Sequence, residues 1–360
     1  MRLFNPTISG LVAATEEDWG DTKQNVEDAI RYRIKPIDDA LFGINMRDGE
    51  MIGVHAVKKM RKSTLVLNLV LGFAHQLKGR SEGYWVCADT LESGMPPQAY
   101  RDSLIAMAAT RLLVSRFYGN DRDKWPSVET IKAHPELGPM MNISREFFLY
   151  GRRTPEQQEA IELAKRAVAS MPISIFGAAS FQGKTRNVDA TVKRWSELYH
   201  GKYIHRHKIG GEIKEVDMTG LHHRIFSTDH ISQLSGFGAS SFEMQETVVS
   251  KYAEFCTEHP GSVVIAVGQI GSSSAKDEKR GFGDANTKGG TALAAEVTVL
   301  FRTEYDKDKS PFKMKIWVQD TRKRPPPPII QDIDDQSGAF LGTRVARNGE
   351  EGGVRIDRRY

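Results

Sequence analysis

The stretch MIGVHAVKKMRKSTLVLNLVLGFA, residues 51–74, decides the fold. Met51-Ile52-Gly53-Val54 reads as a buried strand. A polar, basic loop follows, and an apolar run broken only by Asn68 and Gly72 reads as a helix from Ser63 to Leu77. A strand, a short loop and a Lys-Ser pair opening a helix form the layout of a phosphate-binding loop. The helix start offers unpaired N–H groups and the positive end of its dipole to an anion. On that reading Lys62 reaches the terminal phosphates and Ser63, followed by Thr64, holds Mg2+. The loop departs from the glycine pattern: Ala56 stands at the first glycine position and Arg61 at the second. Arg61 is the more serious departure, because a backbone that curls closely round phosphate is made most cheaply with glycine. The alternative is an ordinary basic turn before a core helix.

A rival lies downstream. Ile173 to Phe176 reads as a strand, and Gly183-Lys184-Thr185 precedes a helix from Val188 to Tyr199. Gly177 is one residue too far from Gly183, although Ala178 has the right spacing. By glycine count this second loop is the better of the two.

Around these loops, buried strands alternate with helices. Tyr84–Ala88, His223–Thr228, Ser262–Val267, Val297–Arg302 and Met314–Val318 read as strands; Arg101–Phe117 and Gln157–Met171 read as helices. Met244, Val248, Tyr252 and Phe255 recur at helical spacing before Pro260. The alternation implies an α/β fold with a mostly parallel central sheet and helices on both faces. Two of the strands end in polar residues. Asp229 follows the strand Arg224–Thr228, where it can hold Mg2+ through water, and Gln269 follows Val263–Val267, where an amide can sense a γ-phosphate. Each alone is equally a strand running into a turn.

Composition bounds the rest. Fifty basic against 46 acidic residues leave a net charge of +4 over 360 residues, with 39% hydrophobic. That excludes a mostly disordered chain and, with no apolar run near the roughly 20 residues a bilayer requires, a membrane-spanning one. Two cysteines, Cys87 and Cys256, are too few for a disulfide framework and read as buried thiols. No signal peptide is legible at the start, so the expectation is a cytoplasmic protein. Residues 1–40 read as an arm with one narrow helix at 21–32. Residues 41–330 form the core, with a Gly/Pro-rich insertion or mobile connection at 118–155. Pro325–Pro328 end the sheet, and 331–360 form a flexible tail.

Taken in order, the segments resemble the ATPase domain of DnaB-like replicative helicases, a branch of the RecA-like P-loop ATPases. The likeness begins at Arg33-Ile-Lys-Pro-Ile-Asp-Asp-Ala-Leu-Phe-Gly and runs through the first loop, where that family often has alanine at the position of Ala56. Val86-Cys-Ala-Asp-Thr-Leu-Glu92-Ser93 matches its strand ending in Ser-Leu-Glu-Met. Asp229-His-Ile-Ser-Gln-Leu234 and Val264-Ile-Ala-Val-Gly-Gln269-Ile270 match its next two motifs, and Trp317-Val-Gln-Asp-Thr-Arg322-Lys-Arg324 its Lys-x-Arg strand. The match covers about residues 33–328 and is poorest over 118–222. It favours Lys62 over Lys184, because only the first loop precedes both the Glu92 and the Asp229 strands.

The resemblance implies ATP and Mg2+ bound between subunits. Glu92 is then the catalytic base, Gln269 the sensor, and Arg322 or Arg324 enters the neighbouring subunit's site. The loop from Ser272 to Lys288, carrying Lys276, Lys279, Arg280 and Lys288, would track single-stranded DNA without reading sequence. Its acidic residues Asp277, Glu278 and Asp284 also suit a plain solvated loop. The expected function is a hexameric, ATP-driven helicase or translocase in replication, in a bacterial cell or phage-infected host, with primase, polymerase or loader as partners. Two alternatives stand: a ring or scaffold whose loop Arg61 has spoiled, and a RecA-like recombination ATPase that forms filaments.

Overall fold

Each buried β-branched run in the sequence becomes a strand of one sheet. The computed structural model describes residues 29–44, 49–56, 60–91, 95–177, 187–209, 212–229, 231–234, 241–269, 296–319 and 326–346. In chain order its elements are α1 (Lys35–Leu41), β1 (Glu50–Ala56), α2 (Lys62–Lys78), β2 (Trp85–Thr90), α3 (Pro97–Tyr118), the short helices α4 (Val128–Ala133), α5 (Leu137–Met140) and α6 (Phe147–Tyr150), α7 (Pro155–Ala169), β3 (Ile173–Gly177), α8 (Val188–Tyr199), the hairpin β4 (Ile204–Ile209) and β5 (Glu212–Asp217), β6 (His223–Asp229), α9 (Ser241–Glu258), β7 (Val263–Gln269), β8 (Val299–Tyr305), β9 (Lys313–Gln319), β10 (Ile329–Ile333) and β11 (Phe340–Val345). The nine-stranded sheet has the order β11-β10-β9-β8-β1-β7-β6-β2-β3. From β3 to β8 all pairs are parallel; β9, β10 and β11 add antiparallel.

Strand alternation sends side chains to two separate cores. One face of β1, Ile52 and Val54, packs with α2 and α3; Phe226, Val264 and Ala266 turn the other way, to α8 and α9. Helix α2 is apolar on nearly every side because nearly every side is covered. Its outer surface is closed by the segment 29–44, where Gln76 exchanges two hydrogen bonds with the Arg31 backbone, at 2.9 and 2.8 Å. Tyr32 sets its ring edge-on to Phe73 and Phe301. In the second core Trp195 lies against Phe226, Tyr252 and Phe255 at ring-centroid separations of 4.7–5.6 Å. Its indole N–H and the Arg194 guanidinium both donate to the buried Asp89 carboxylate, tying α8 to β2.

Three segments differ from the sequence reading. Residues 29–44, read up to residue 40 as an arm sparse in core residues that packs on something else, bury Ile30, Tyr32, Ile34, Ile37, Leu41 and Ile44. The stretch 118–155, read as an insertion or mobile connection, packs Trp125, Val128, Ile131, Leu137 and Ile143 inside. Residues 329–345, mostly read as tail, form β10 and β11, so the prolines before them precede two further strands instead of ending the sheet. No helix among the described residues is long and apolar enough to cross a membrane.

The start of β6 carries a pH signature. His223 is fully buried, and its ring lies 3.1 Å from the Leu221 carbonyl through Nδ1 and 3.0 Å from Ser174 Oγ through Nε2. Burial pushes its imidazole down to about 4. The unfolded chain therefore takes up a proton near pH 6.5 that the fold refuses. The stabilisation is whole above that pH and is lost as pH falls towards 4, by about 2 kcal/mol at pH 5. Asp38 and Asp332, both pushed up to about 6 mainly by burial, act in the opposite sense. The His223 contribution is thus the excess loss of wild type over His223→Asn in urea unfolding between pH 7.5 and 5. Equal losses in the two proteins would remove it.

Candidate functional site

Four parallel strands finish at one edge of the sheet. Ala56, the last residue of β1, is in register with Gln269, the last of β7. Asp229, the last of β6, is in register with Thr90, the last of β2. The pairing continues one residue further, since the Leu91 N–H donates to the Asp229 carbonyl at 3.3 Å. Ligands of open parallel sheets bind beyond such strand ends.

Over this edge stands the start of α2. No side chain caps it and no acidic residue lies in its first turn, so the dipole and N–H groups meet no anion from those positions. Lys62 is 7% exposed, and its Nζ turns back to donate to the Ala56 carbonyl at 3.1 Å. Ser63 is half-buried and Thr64 buried. Asp229 is 2% exposed and alternates with Ile225 and Ser227, which puts it on the α2–α3 face of β6. Its charge, second to burial, helps push the Tyr100 phenol on α3 well up from its ordinary value. A buried ammonium, a buried carboxylate and an uncapped helix start therefore share one face of the sheet at one edge. Such a set can hold a polyanion together with a divalent cation.

Arg61 resolves its own anomaly. Its backbone is left-handed, φ 59 and ψ 29, the conformation that a loop glycine would supply there. Its side chain turns onto β8 and the turn between β10 and β11. The guanidinium lies 4.8 Å from the Tyr305 ring centroid and donates to Tyr305 Oη at 3.4 Å and to the Asp335 carbonyl at 3.3 Å. The residue before it is held too. Thr303 Oγ1 donates to the Met60 carbonyl at 2.7 Å, and the Tyr305 N–H points to Met60 Sδ at 3.3 Å.

The C-terminal turn also closes on α2. Gly338, at φ +74, holds a conformation that favours glycine, and a Cβ there would press on Thr64 Cγ2 at 3.2 Å. Asn68 donates to the Thr64 and Gly338 carbonyls and accepts from the Phe340 N–H and from Arg111. Tyr305, Thr303, Asp335 and Asn68 escaped the sequence reading, which holds no signal for them: they come from strands and a turn 240 or more residues away from the loop, or from mid-helix.

Of the residues expected from sequence, Ala56, Arg61, Lys62, Ser63, Thr64 and Asp229 come together here, with the backbone of Gln269 beside Ala56. Glu92, Arg322, Arg324, Lys276, Lys279, Arg280, Lys288 and the rival Lys184 lie outside the described residues. Their points of attachment are informative. The rival segment follows β3, which among the described residues is an edge strand paired only with β2. The segment holding Arg322 and Arg324 follows Gln319, which is in register with Leu300 near the start of β8. Leu300 is in turn in register with Gly53, the middle of β1, and β9 runs antiparallel to β8. No group of three or more His, Cys, Asp or Glu that could hold a metal ion occurs among the described residues.

No protein-family model matches the chain. No curated protein matches it either. Solved structures do. The ATPase domain of one DnaB-like replicative helicase superposes with a TM-score of 0.63 at 14% identity, covering 94% of this chain and 99% of that one. A second DnaB-like replicative helicase, solved in a study of its interactions with primase, also gives 0.63, at 13% identity, covering 94% of this chain and 67% of that one. At such identities the likeness speaks for the fold alone. That fold is the RecA-like P-loop ATPase fold, in the form found in the ATPase domains of DnaB-like replicative helicases.

Proposed function

We propose that the chain is an ATP-hydrolysing motor that assembles as a hexameric ring and moves along single-stranded DNA in replication. The observation that carries this reading is the Lys62 ammonium at the uncapped start of α2, on the same sheet face and edge as the buried Asp229. Those residues fit Mg2+-ATP. Ser63 and Asp229 would hold the metal, which when bound neutralises phosphate charge. Lys62 would swing from the Ala56 carbonyl to the terminal phosphates, and the amides of residues 61–64 would complete the cradle. Glu92, beyond the end of β2, would orient the attacking water, and Gln269 would sense the γ-phosphate.

Arg322 or Arg324 would act on a neighbouring copy. An arginine so supplied is worth about 10³–10⁵ in rate. Lys276, Lys279, Arg280 and Lys288, carried by the segment that follows β7, would contact DNA phosphates. Primase, polymerase or loader would be further partners, in a bacterial cytoplasm or a phage-infected host. The departure from glycine at position 61 leaves one second reading, a ring that binds DNA without turnover.

Steady-state ATP hydrolysis with and without single-stranded DNA, strand separation of a forked duplex, and particle shape by electron microscopy test the proposal together. DNA-stimulated turnover by six-membered rings is expected. Rings on DNA without turnover would select the second reading. A monomer that binds no nucleotide would end both.

A further inference from the structure

We infer that Arg61 is a positioning residue that performs a glycine's task by anchorage. This rests on the reading that nucleotide binds at the start of α2. The left-handed region is costly for any residue with a Cβ, and Arg61 occupies it at the last position before Lys62. An arginine there is tolerable if its side chain gains enough elsewhere to hold the backbone in that shape. The structure offers such an anchor: the Tyr305 ring under the guanidinium, and two hydrogen bonds, to Tyr305 Oη and the Asp335 carbonyl. Both anchor points are themselves fixed. Tyr305 is 8% exposed, and its hydroxyl donates to the Pro311 carbonyl at 3.0 Å.

The Asp335 turn is braced from several sides. Asp334 accepts from the Ser337 N–H and Oγ, each at 2.7 Å, and Lys132 pairs with both Asp334 and Asp335. The guanidinium thus points towards β8 and the C-terminal turn, and its backbone amide is held beside that of Lys62. The cradle is shaped from outside, by β8 and the β10–β11 turn, in place of conformational freedom within the loop. An arginine acting as a direct phosphate ligand is the competing role, and it makes opposite predictions.

A coupling cycle separates them. The affinity of a fluorescent non-hydrolysable ATP analogue is measured for wild type, Arg61→Ala, Arg61→Gly, Tyr305→Leu and Arg61→Gly/Tyr305→Leu. Alanine keeps the Cβ cost and loses the anchor, so Arg61→Ala is expected to bind about ten-fold more weakly than Arg61→Gly. Tyr305→Leu is expected to weaken binding about five-fold with arginine at 61 and less than two-fold with glycine there. Arg61→Gly binding no better than Arg61→Ala would overturn the inference in favour of direct phosphate contact. An equal cost of Tyr305→Leu in both backgrounds would overturn it as well.

Thermal unfolding of the same five proteins, without nucleotide, keeps the two failures apart. If wild type binds no analogue, the functional reading fails. The anchor then stands if Tyr305→Leu lowers the midpoint more with arginine than with glycine at 61, and falls if the two decreases are equal.

Discussion

Lys62→Ala is expected to lower ATP turnover by about 10²–10³-fold, the loss typical when one preorganised charge or donor leaves a phosphoryl- or acyl-transfer site. The lysine is buried at the first position of α2, and its ammonium already sits over the strand-end edge where phosphates would lie. Alanine removes the charge and keeps a good helix former at that position. It leaves the Ala56 carbonyl one donor short, so the fold should soften slightly without collapsing. Turnover at saturating ATP and affinity for a non-hydrolysable analogue should both fall, while far-ultraviolet circular dichroism stays that of wild type. Lys184→Ala is the matched control. Its segment follows the edge strand β3, and turnover should stay near wild type. Full activity in Lys62→Ala, or its loss in Lys184→Ala, would move the site to the other loop.

The parts of the fold that could be read from sequence are those whose burial leaves a period. The runs at Met51–Val54 and Val263–Val267 are strands covered on both faces, so they stand out as unbroken β-branched or apolar stretches. Helix α2 announced itself for the same reason, being covered nearly all round. Where burial is partial or elements are short, the signal fades. Hairpin β4–β5, IHRHKI against EIKEVD, carries charge on both strands and was not seen. Helices α4 to α6 are four to six residues long. Pro126, Pro135 and Pro139 interrupt them, so no helical period has room to show. Of the site, the strand–loop–helix order and the strand-end carboxylate were legible because motif and topology coincide. The restraint on Arg61 was not, because Tyr305 and Asp335 reach it only through the fold.

The C-terminal strands provide the sharpest contrast between the two views. Cutting the chain after Pro328 should abolish the folded protein, whereas cutting after Ala346 keeps every described residue and should leave thermal unfolding close to wild type. The first cut removes Ile329, Ile330, Ile333, Phe340 and Leu341, all at most 3% exposed. At about 1.5–3 kcal/mol for each such side chain, the loss is on the order of 10 kcal/mol, comparable with the whole stability of an ordinary domain. Their partners then face water, and β9 becomes an open edge carrying Ile316 where Ile329 had paired with it. Polar groups suffer too. Asn68, buried on α2, loses the Gly338 carbonyl and the Phe340 N–H, and Arg122 loses the Phe340 carbonyl. A buried amide left with fewer partners costs about 1–3 kcal/mol more. The measurement is soluble yield together with the cooperativity of thermal unfolding for the two truncations. A soluble fragment ending at Pro328 that melts cooperatively at the wild-type midpoint would mean that β10 and β11 are an appendage. The anchoring of Arg61 through Asp335 would then have no rigid end to pull against.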